Sequence, residues 1–302
     1  MAVITTGNHP KALWPGVYAW FGASYNKHER YTDKIFEKRR SSKAYEEDVE
    51  TTGFGLAAVK AESAATTYDS SAQGYVTRTT HSVYSKGYII TKEAMDDNLY
   101  KEKSMPLASA LAFSMFTTRE TVGANILNRA FNSAYVGGNG VELISTAQPT
   151  LDGTQSNHIA TASDLSEASL EALLIQIRNT KDSRGLPINI KGDALIVPAE
   201  LEFEANRILF STLQAGTGNN DVNAMRSMGL LPKGIISSPY LTDPNAWFVK
   251  TNVPNGLVCY QRNPLAFTRD NDFDTGNAKA KAVERYSFNW LEWRALFGSP
   301  GA

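Results

Sequence analysis

The clearest hydrophobic pattern lies near the C-terminal end. Glu284, Tyr286, Phe288 and Trp290 share one side of a two-residue alternation, against Arg285, Ser287 and Asn289 on the other. Period two marks a half-buried strand, because successive side chains point to opposite faces of a sheet. Trp293 and Phe297 extend the apolar content. A different period governs the first half. Leu107, Leu111, Met115, Val122, Ile126 and Ala130 follow three-, four- and seven-residue steps, which predicts a helix over 106–133. Pro106 suits its first turn, where a missing N–H is no loss, and Gly137-Gly138 stops the pattern. Such a helix spans roughly 40 Å at 1.5 Å per residue. That exceeds the usual globular length and suggests a structural spine.

The remaining elements follow from caps and breakers. Thr91 can cap a short helix from Lys92 to Tyr100, with Glu93 in its first turn. Leu165 and Leu170 flank a capping Ser166 in hydrophobic-staple spacing. A helix then buries Leu170, Leu173, Leu174 and Ile177 and ends at Arg184-Gly185. Ala194 to Val197 is a short apolar strand, and Pro198 opens another helix with Leu201, Ala205, Ile208 and Leu209 inward. Ala215 to Asn223 is a Gly- and Asn-rich loop. Strands are predicted at 234–237, 247–250, 257–262 and 265–269. Upstream, 54–60 and 75–91 suit strands, and 61–74 between them is mostly Ala, Ser, Thr and Gly. The result is a long hairpin with a small-residue tip and little core of its own. Such a hairpin is marginal alone and lies on a partner.

Residues 1–26 carry Trp14, Tyr18, Trp20, Phe21 and Tyr25 between breaks at Pro10 and Pro15. This reads as an arm that docks on its own domain or on a neighbouring chain. Residues 27–50 hold a basic run ending at Lys43 and an acidic run from Glu46 to Glu50. The two cancel, so a solvated or intersubunit face is favoured over a nucleic-acid patch. The whole chain repeats that balance, with 30 Lys+Arg against 31 Asp+Glu in 302 residues. A formal net charge of −1 argues against tight, sequence-independent binding to nucleic acid. The 42% apolar share is enough to bury a core and excludes a wholly disordered chain. One Cys excludes an intrachain disulfide scaffold. No run approaches the roughly 18 apolar residues of a membrane span, and the first ten residues lack the order of a secretory signal. A soluble protein made in a cytoplasm is expected.

Catalytic and cofactor motifs are missing. No phosphate-cradling or dinucleotide-binding glycine pattern follows a strand, and the spacing of a nucleophile elbow is absent. His9, His28, His81 and His158 are scattered, none with a second ligand at metal spacing. Cys259 lies in a predicted strand and reads as a small buried hydrophobe. Asp270, Asp272, Asp274 and Gly276 resemble part of a calcium loop, but the bidentate Glu is missing, so a polar turn is preferred. No catalytic, cofactor-binding or metal residue is assigned, and no cofactor is expected.

The order of elements resembles that of the major capsid proteins of tailed double-stranded-DNA bacteriophages, a shell fold shared with encapsulins. Five stretches carry the resemblance, in order: SKGYIITKEAMDDNLY (85–100), LISTAQPTLDGTQSN (143–157), DSRGLPINIKGDALIVPAELEFEANRIL (182–209), GTGNNDVNAM (216–225) and SSPYLTDPNAWFV (237–249). The resemblance implies an α+β fold. Its parts would be an N-terminal arm (1–50), an extended hairpin loop (51–91), a discontinuous peripheral domain (92–149 and 263–302) with the spine helix 106–133, and an axial domain (150–262). It implies a structural protein, not an enzyme, that assembles through hexamers and pentamers into an icosahedral shell around packaged DNA. Its partners would be further copies of itself, a separate scaffolding protein, a portal and a decoration protein. It would contact DNA without sequence specificity, avoid membranes, and assemble in the host cytoplasm into the virion. The interface would draw on Trp14, Trp20, Arg39, Arg40, Phe54, Lys60, Tyr68, Tyr75, Arg78, Asn219, Asn220 and Asp221. A few members cross-link a loop Lys to a neighbour's Asn. Lys60 is the only Lys between Glu50 and Gly74, and non-covalent contacts are favoured. The alternatives are an encapsulin-like compartment with a protein cargo and a soluble enzyme with an unrecognised site.

Overall fold

A computed structural model describes residues 21–93, 100–213 and 222–302. In chain order the elements are α1 (Tyr31–Ile35), β1 (Glu37–Arg40), β2 (Tyr45–Thr51), β3 (Gln73–Thr80), β4 (Ser82–Ile90), α2 (Tyr100–Asn128), β5 (Gln148–Thr150), β6 (Gly153–Gln155), α3 (Glu167–Arg178), β7 (Gly192–Val197), α4 (Glu202–Phe210), α5 (Ala224–Met228), β8 (Ile235–Ser237), β9 (Trp247–Thr251), β10 (Leu257–Asn271), β11 (Ala278–Trp290) and β12 (Leu296–Ser299).

Two four-stranded sheets organise these elements. The first has the order β1-β10-β11-β4 and the second β12-β9-β7-β8. Spine helix α2 lies on one face of the first sheet. It buries Ala108, Leu111, Ala112, Met115 and Phe116 with Phe21 and Tyr25 of the preceding chain and with Phe267, Ala280 and Ala282 of the sheet. Gly123 lets α1 approach the spine. A Cβ there would stand 2.3 Å from Thr32 Cγ2 and 3.3 Å from the Phe288 ring. Helices α3, α4 and α5 share a core with one face of the second sheet, including Leu195, Val197, Trp247 and Val249. The opposite face, with Ala194, Ile196 and Phe248, packs with Leu127, Tyr286 and Phe288 and joins the two sheets.

Several predicted elements form where their local chemistry placed them. The Ser166 hydroxyl accepts from the Ser169 N–H at 3.2 Å, and the Ser169 hydroxyl accepts from the Ser166 N–H at 2.9 Å, closing a capping box at α3. Leu165 and Leu170 beside it are buried. Pro198 precedes a 3₁₀ turn, Ala199–Leu201, that runs into α4. Asp270 still lies in β10, and residues 272–277 form the turn joining β10 to β11, with Gly276 at φ +67° and the Asp272 carboxylate accepting from the Asp274 N–H.

The structure corrects other boundaries. The spine begins at Tyr100, which puts Pro106 inside the helix, and it ends at Asn128, not 133. Past that point the Ala130 and Asn132 amides bond three residues back, and the Asn128 amide donates to the Tyr240 carbonyl. Helix α3 stops at Arg178, before Arg184-Gly185, where the Thr180 hydroxyl takes the Gln176 carbonyl. Residues 54–60 are not a strand. The partner of β3 is β2, in register from Tyr45↔Thr80 to Val49↔Val76. The alternation Tyr45, Glu47, Val49, Thr51 is obscured by its acidic residues, whereas 54–60 pairs with no strand among the described residues. The two strands expected at 257–262 and 265–269 are one, β10, with register shifts around Asn263. Strand β12, inside the 263–302 stretch assigned to the peripheral part, pairs with β9 in the second sheet. The helix predicted over 92–100 and the loop at 215–223 fall largely outside the described residues.

Candidate functional site

Four strongly exposed apolar side chains cluster on one segment. Between β2 and β3, residues 52–72 form an irregular loop pinned at its base. The Thr52 N–H donates to the Ala72 carbonyl at 2.9 Å, and the Ala72 N–H to the Thr52 hydroxyl at 2.8 Å. Beyond the base, Phe54, Leu56, Val59 and Tyr68 are 61–101% exposed. Asp69 sets the loop's course. Its carboxylate accepts from the Gly55 and Ser70 amides at 2.8 Å and pairs with Arg184 Nη1 at 3.3 Å, and Arg184 also donates to the Ser70 carbonyl. Those amides, with Arg184 in support, hold the Asp69 carboxyl below its ordinary range.

The two-stranded stem β2–β3 has two unlike faces. Outward lie Tyr45, Val49 and Val76, with the Arg78 guanidinium 3.8 Å over the Tyr45 ring and 3.9 Å from Glu47. The inward face is polar and rests on the first sheet, on the side away from α2. Tyr260 donates to the Asp48 carboxylate at 2.6 Å, Asn289 to the Thr79 hydroxyl at 2.7 Å, and Tyr75 to the Leu291 carbonyl at 3.3 Å. Burial and the Asp48 carboxylate push the Tyr260 phenol up to about 12, so it remains a donor. At the stem's root, buried His81 bonds the Ser287 hydroxyl through Nδ1 at 2.8 Å and the Ser41 hydroxyl through Nε2 at 2.9 Å. Ser41 in turn donates to the Glu46 carboxylate at 2.7 Å.

Of the residues expected at an interface, Phe54, Lys60 and Tyr68 lie together on the exposed loop, and Arg78 lies on the outward stem. Arg40 is exposed on β1. Arg39 and Tyr75 are engaged within the chain, Arg39 with Glu37 at 3.2 Å and the Tyr260 hydroxyl at 3.4 Å. Trp14, Trp20, Asn219, Asn220 and Asp221 lie outside the described residues. Sequence reasoning missed Leu56, Val59, Asp69 and Arg184. Large apolar residues scattered through a Gly/Ala/Ser-rich stretch were the available signal for the first two. The Arg184 contact bridges 115 residues and left no local trace. Among the described residues no cluster of His, Cys, Asp or Glu could hold a metal ion, and no helix is long and apolar enough to cross a membrane. Burial raises the Cys259 thiol to about 11, so it stays protonated.

A family model described as "Phage capsid protein" matches residues 74–298, about three quarters of the chain. Among solved structures, the chain is similar to a virus-like particle protein from Pyrococcus furiosus (11% identity, TM-score 0.56, covering 95% of this chain and 99% of that one). It is also similar to chains of the mature capsid of bacteriophage PhiM1 (12% identity, TM-score 0.56, 90% and 87% covered) and of the capsid of Myoviridae phage XM1 (10% identity, TM-score 0.51, 89% of each covered). At these identities the likeness shows the fold, which is the α+β shell fold of tailed-phage major capsid proteins. No curated protein matches the chain. The chain belongs to the phage capsid protein family and is a structural component of a capsid.

Proposed function

We propose, from that membership, that copies of the chain assemble as hexamers and pentamers into a closed icosahedral shell, with the 52–72 loop as a principal contact between neighbours. The observation that carries this reading is the loop itself. Four large apolar side chains are 61–101% exposed on a segment too thin to bury them, while its base is pinned. Exposed apolar groups concentrated in this way mark an interaction surface. The outward stem face, Tyr45, Val49, Val76 and Arg78, continues the same surface. Each contact can be weak, because a subunit in a shell engages several neighbours at once and tethering raises the effective concentration of each successive contact.

The near-neutral charge suits a container that encloses double-stranded DNA without gripping it. A separate scaffolding protein, a portal and a decoration protein complete the assembly, which proceeds in the host cytoplasm. The arm (1–50), the axial part (150–262) and the two peripheral stretches (92–149 and 263–302) would keep these bounds except that β2 belongs with the loop's stem and β12 with the axial sheet. Membership of a family of shell proteins argues against an enzymatic role.

The test replaces residues 54–70 with two glycines. The hairpin ends stay pinned by Thr52 and Ala72, and shortening a loop slightly favours the folded state. The subunit is expected to keep its circular dichroism and melting temperature. Negative-stain microscopy is expected to show closed particles for the unaltered chain and none for the variant. Normal shells from the variant would overturn the role given to the loop.

A further inference from the structure

The helices that cover the second sheet carry a groove and a knob that the chain itself does not match. The groove lies between α3 and α5, is about 640 Å³ in volume, and opens where β7 begins at Gly192. Its walls include Leu174, Met225 and Leu230, with Ile175 and Met228 61% and 67% exposed at its mouth. Arg178 and Lys191 stand on the rim. Arg178 donates to the Asn189 side chain at 2.9 Å, and neither cation forms an ion pair among the described residues. Of the two acids on the rim, Asp193 is already paired with Lys233 at 2.6 Å, which leaves Glu171 against two cations.

The knob is Phe203, 79% exposed in the first turn of α4. That helix turns Ala205, Ile208 and Leu209 into the core, which puts Phe203 on its opposite side. Glu200, Glu202 and Glu204 surround it in the sequence. Glu204 is paired with Arg207 and Glu202 accepts from the Ser237 hydroxyl at 2.9 Å, while Glu200 has no ion pair among the described residues. Strand β7 separates knob from groove. Its six residues span roughly 20 Å at 3.3 Å each. The groove opens at its start, and Phe203 follows the 3₁₀ turn at its end.

We propose that the occupant of the groove is a second copy of this chain: Phe203 and the acidic first turn of α4 of one copy seat between α3 and α5 of the next, and the contact repeated head to tail closes a ring. The inference rests on the assembly proposed above and names one of its contacts. Two unlike patches at opposite ends of a strand can be matched between copies only head to tail, and such contacts close rings when the rotation allows. The chemistry matches in the same sense. An aromatic ring flanked by carboxylates meets an apolar groove whose rim has cations to spare, which fixes register as well as adding contact. Phe54 and Phe273 are exposed aromatics too, but they stand on a loop and a turn. Phe203 stands on a helix packed on the same sheet as the groove, so its position is set by that core.

Cysteine trapping on the full-length chain tests this. Phe203→Cys combined with Ile175→Cys gives each copy one link forward and one back, and the native Cys259 is buried and stays protonated. Mild oxidation of assembled material is expected to give a ladder of linked subunits that ends at the pentamer and hexamer, while either cysteine alone gives no ladder. Glu200→Lys and Arg178→Glu are each expected to slow trapping about tenfold, and the two together to restore it. Phe203→Asp changes an exposed side chain, so it is expected to keep the circular dichroism and melting temperature. It is expected to form no closed particles. The contact is overturned if the double-cysteine chain gives no ladder or stops at the dimer, or if Phe203→Asp assembles normally. It is overturned equally if Phe54→Cys or Phe273→Cys gives the ladder with Ile175→Cys and Phe203→Cys does not. Those results leave the shell standing wherever the unaltered chain forms particles. Should the unaltered chain form none, the shell reading fails, and the presence or absence of the ladder in the concentrated soluble chain decides the contact by itself.

Discussion

Arg119 and Glu284 form an ion pair between the spine and β11 while only 2% and 1% exposed. Gln261 also donates to Glu284 at 2.9 Å, and the Arg119 guanidinium lies 5.1 Å from the Tyr286 ring centroid. Burial pushes the Glu284 carboxyl up, and Arg119 opposes that shift. A pair taken out of water in this way need add little net stability, yet stranding one partner is expensive. Arg119→Met is therefore expected to lower unfolding stability by about 3–5 kcal/mol, read from a urea melt. The double change Arg119→Met, Glu284→Leu is expected to recover most of that loss. The alternation of β11 placed Glu284 on the buried face in the sequence. Nothing local identified a partner 165 residues away.

At the scale of elements, legibility tracked how much each segment's own chemistry decided. Helix α3 begins where Ser166 predicts because the capping box lies within four residues. Ser166→Ala is expected to cost about 1 kcal/mol, measured as a shift in the urea midpoint with an unchanged slope. Strand β2 was not legible. Its alternation survives only because β3 pairs with it and supplies Thr80, Arg78 and Val76 across the ladder. The spine was legible in its middle and not at its ends. The apolar period reports burial, whereas the last turn is settled by where Asn128 meets the backbone of Tyr240 and Thr242.

Over the whole molecule, the contacts that aim the extended loop join segments far apart in the chain. Arg184 holds Asp69 and Ser70 from beyond the spine, and the stem rests on β10 and β11. The Arg184–Asp69 pair is exposed enough to add little to global stability. Its role is directional. Arg184→Ala is expected to leave the melting temperature almost unmoved while cleavage of the 52–72 loop in limited proteolysis speeds up several-fold. The exchange Arg184→Asp with Asp69→Arg is expected to restore partial protection. Unchanged cleavage in Arg184→Ala would show that the Gly55 and Ser70 amides alone set the loop's course.

The sequence by itself determined the middle of the spine, the capped start of helix α3, the helix that follows Pro198, the alternating β11 and the presence of a hairpin unable to bury itself. Each depends on residues within a few turns of one another, so period, cap and turn chemistry suffice to specify it. Only the tertiary structure decided which strand pairs with β3, that β12 joins the second sheet, that Glu284 is met by Arg119, and that His81 sits between two hydroxyls at the root of the loop. Those outcomes depend on strands and side chains brought together across long stretches of chain, and short-range periodicity carries no information about which distant partner a buried polar group will find.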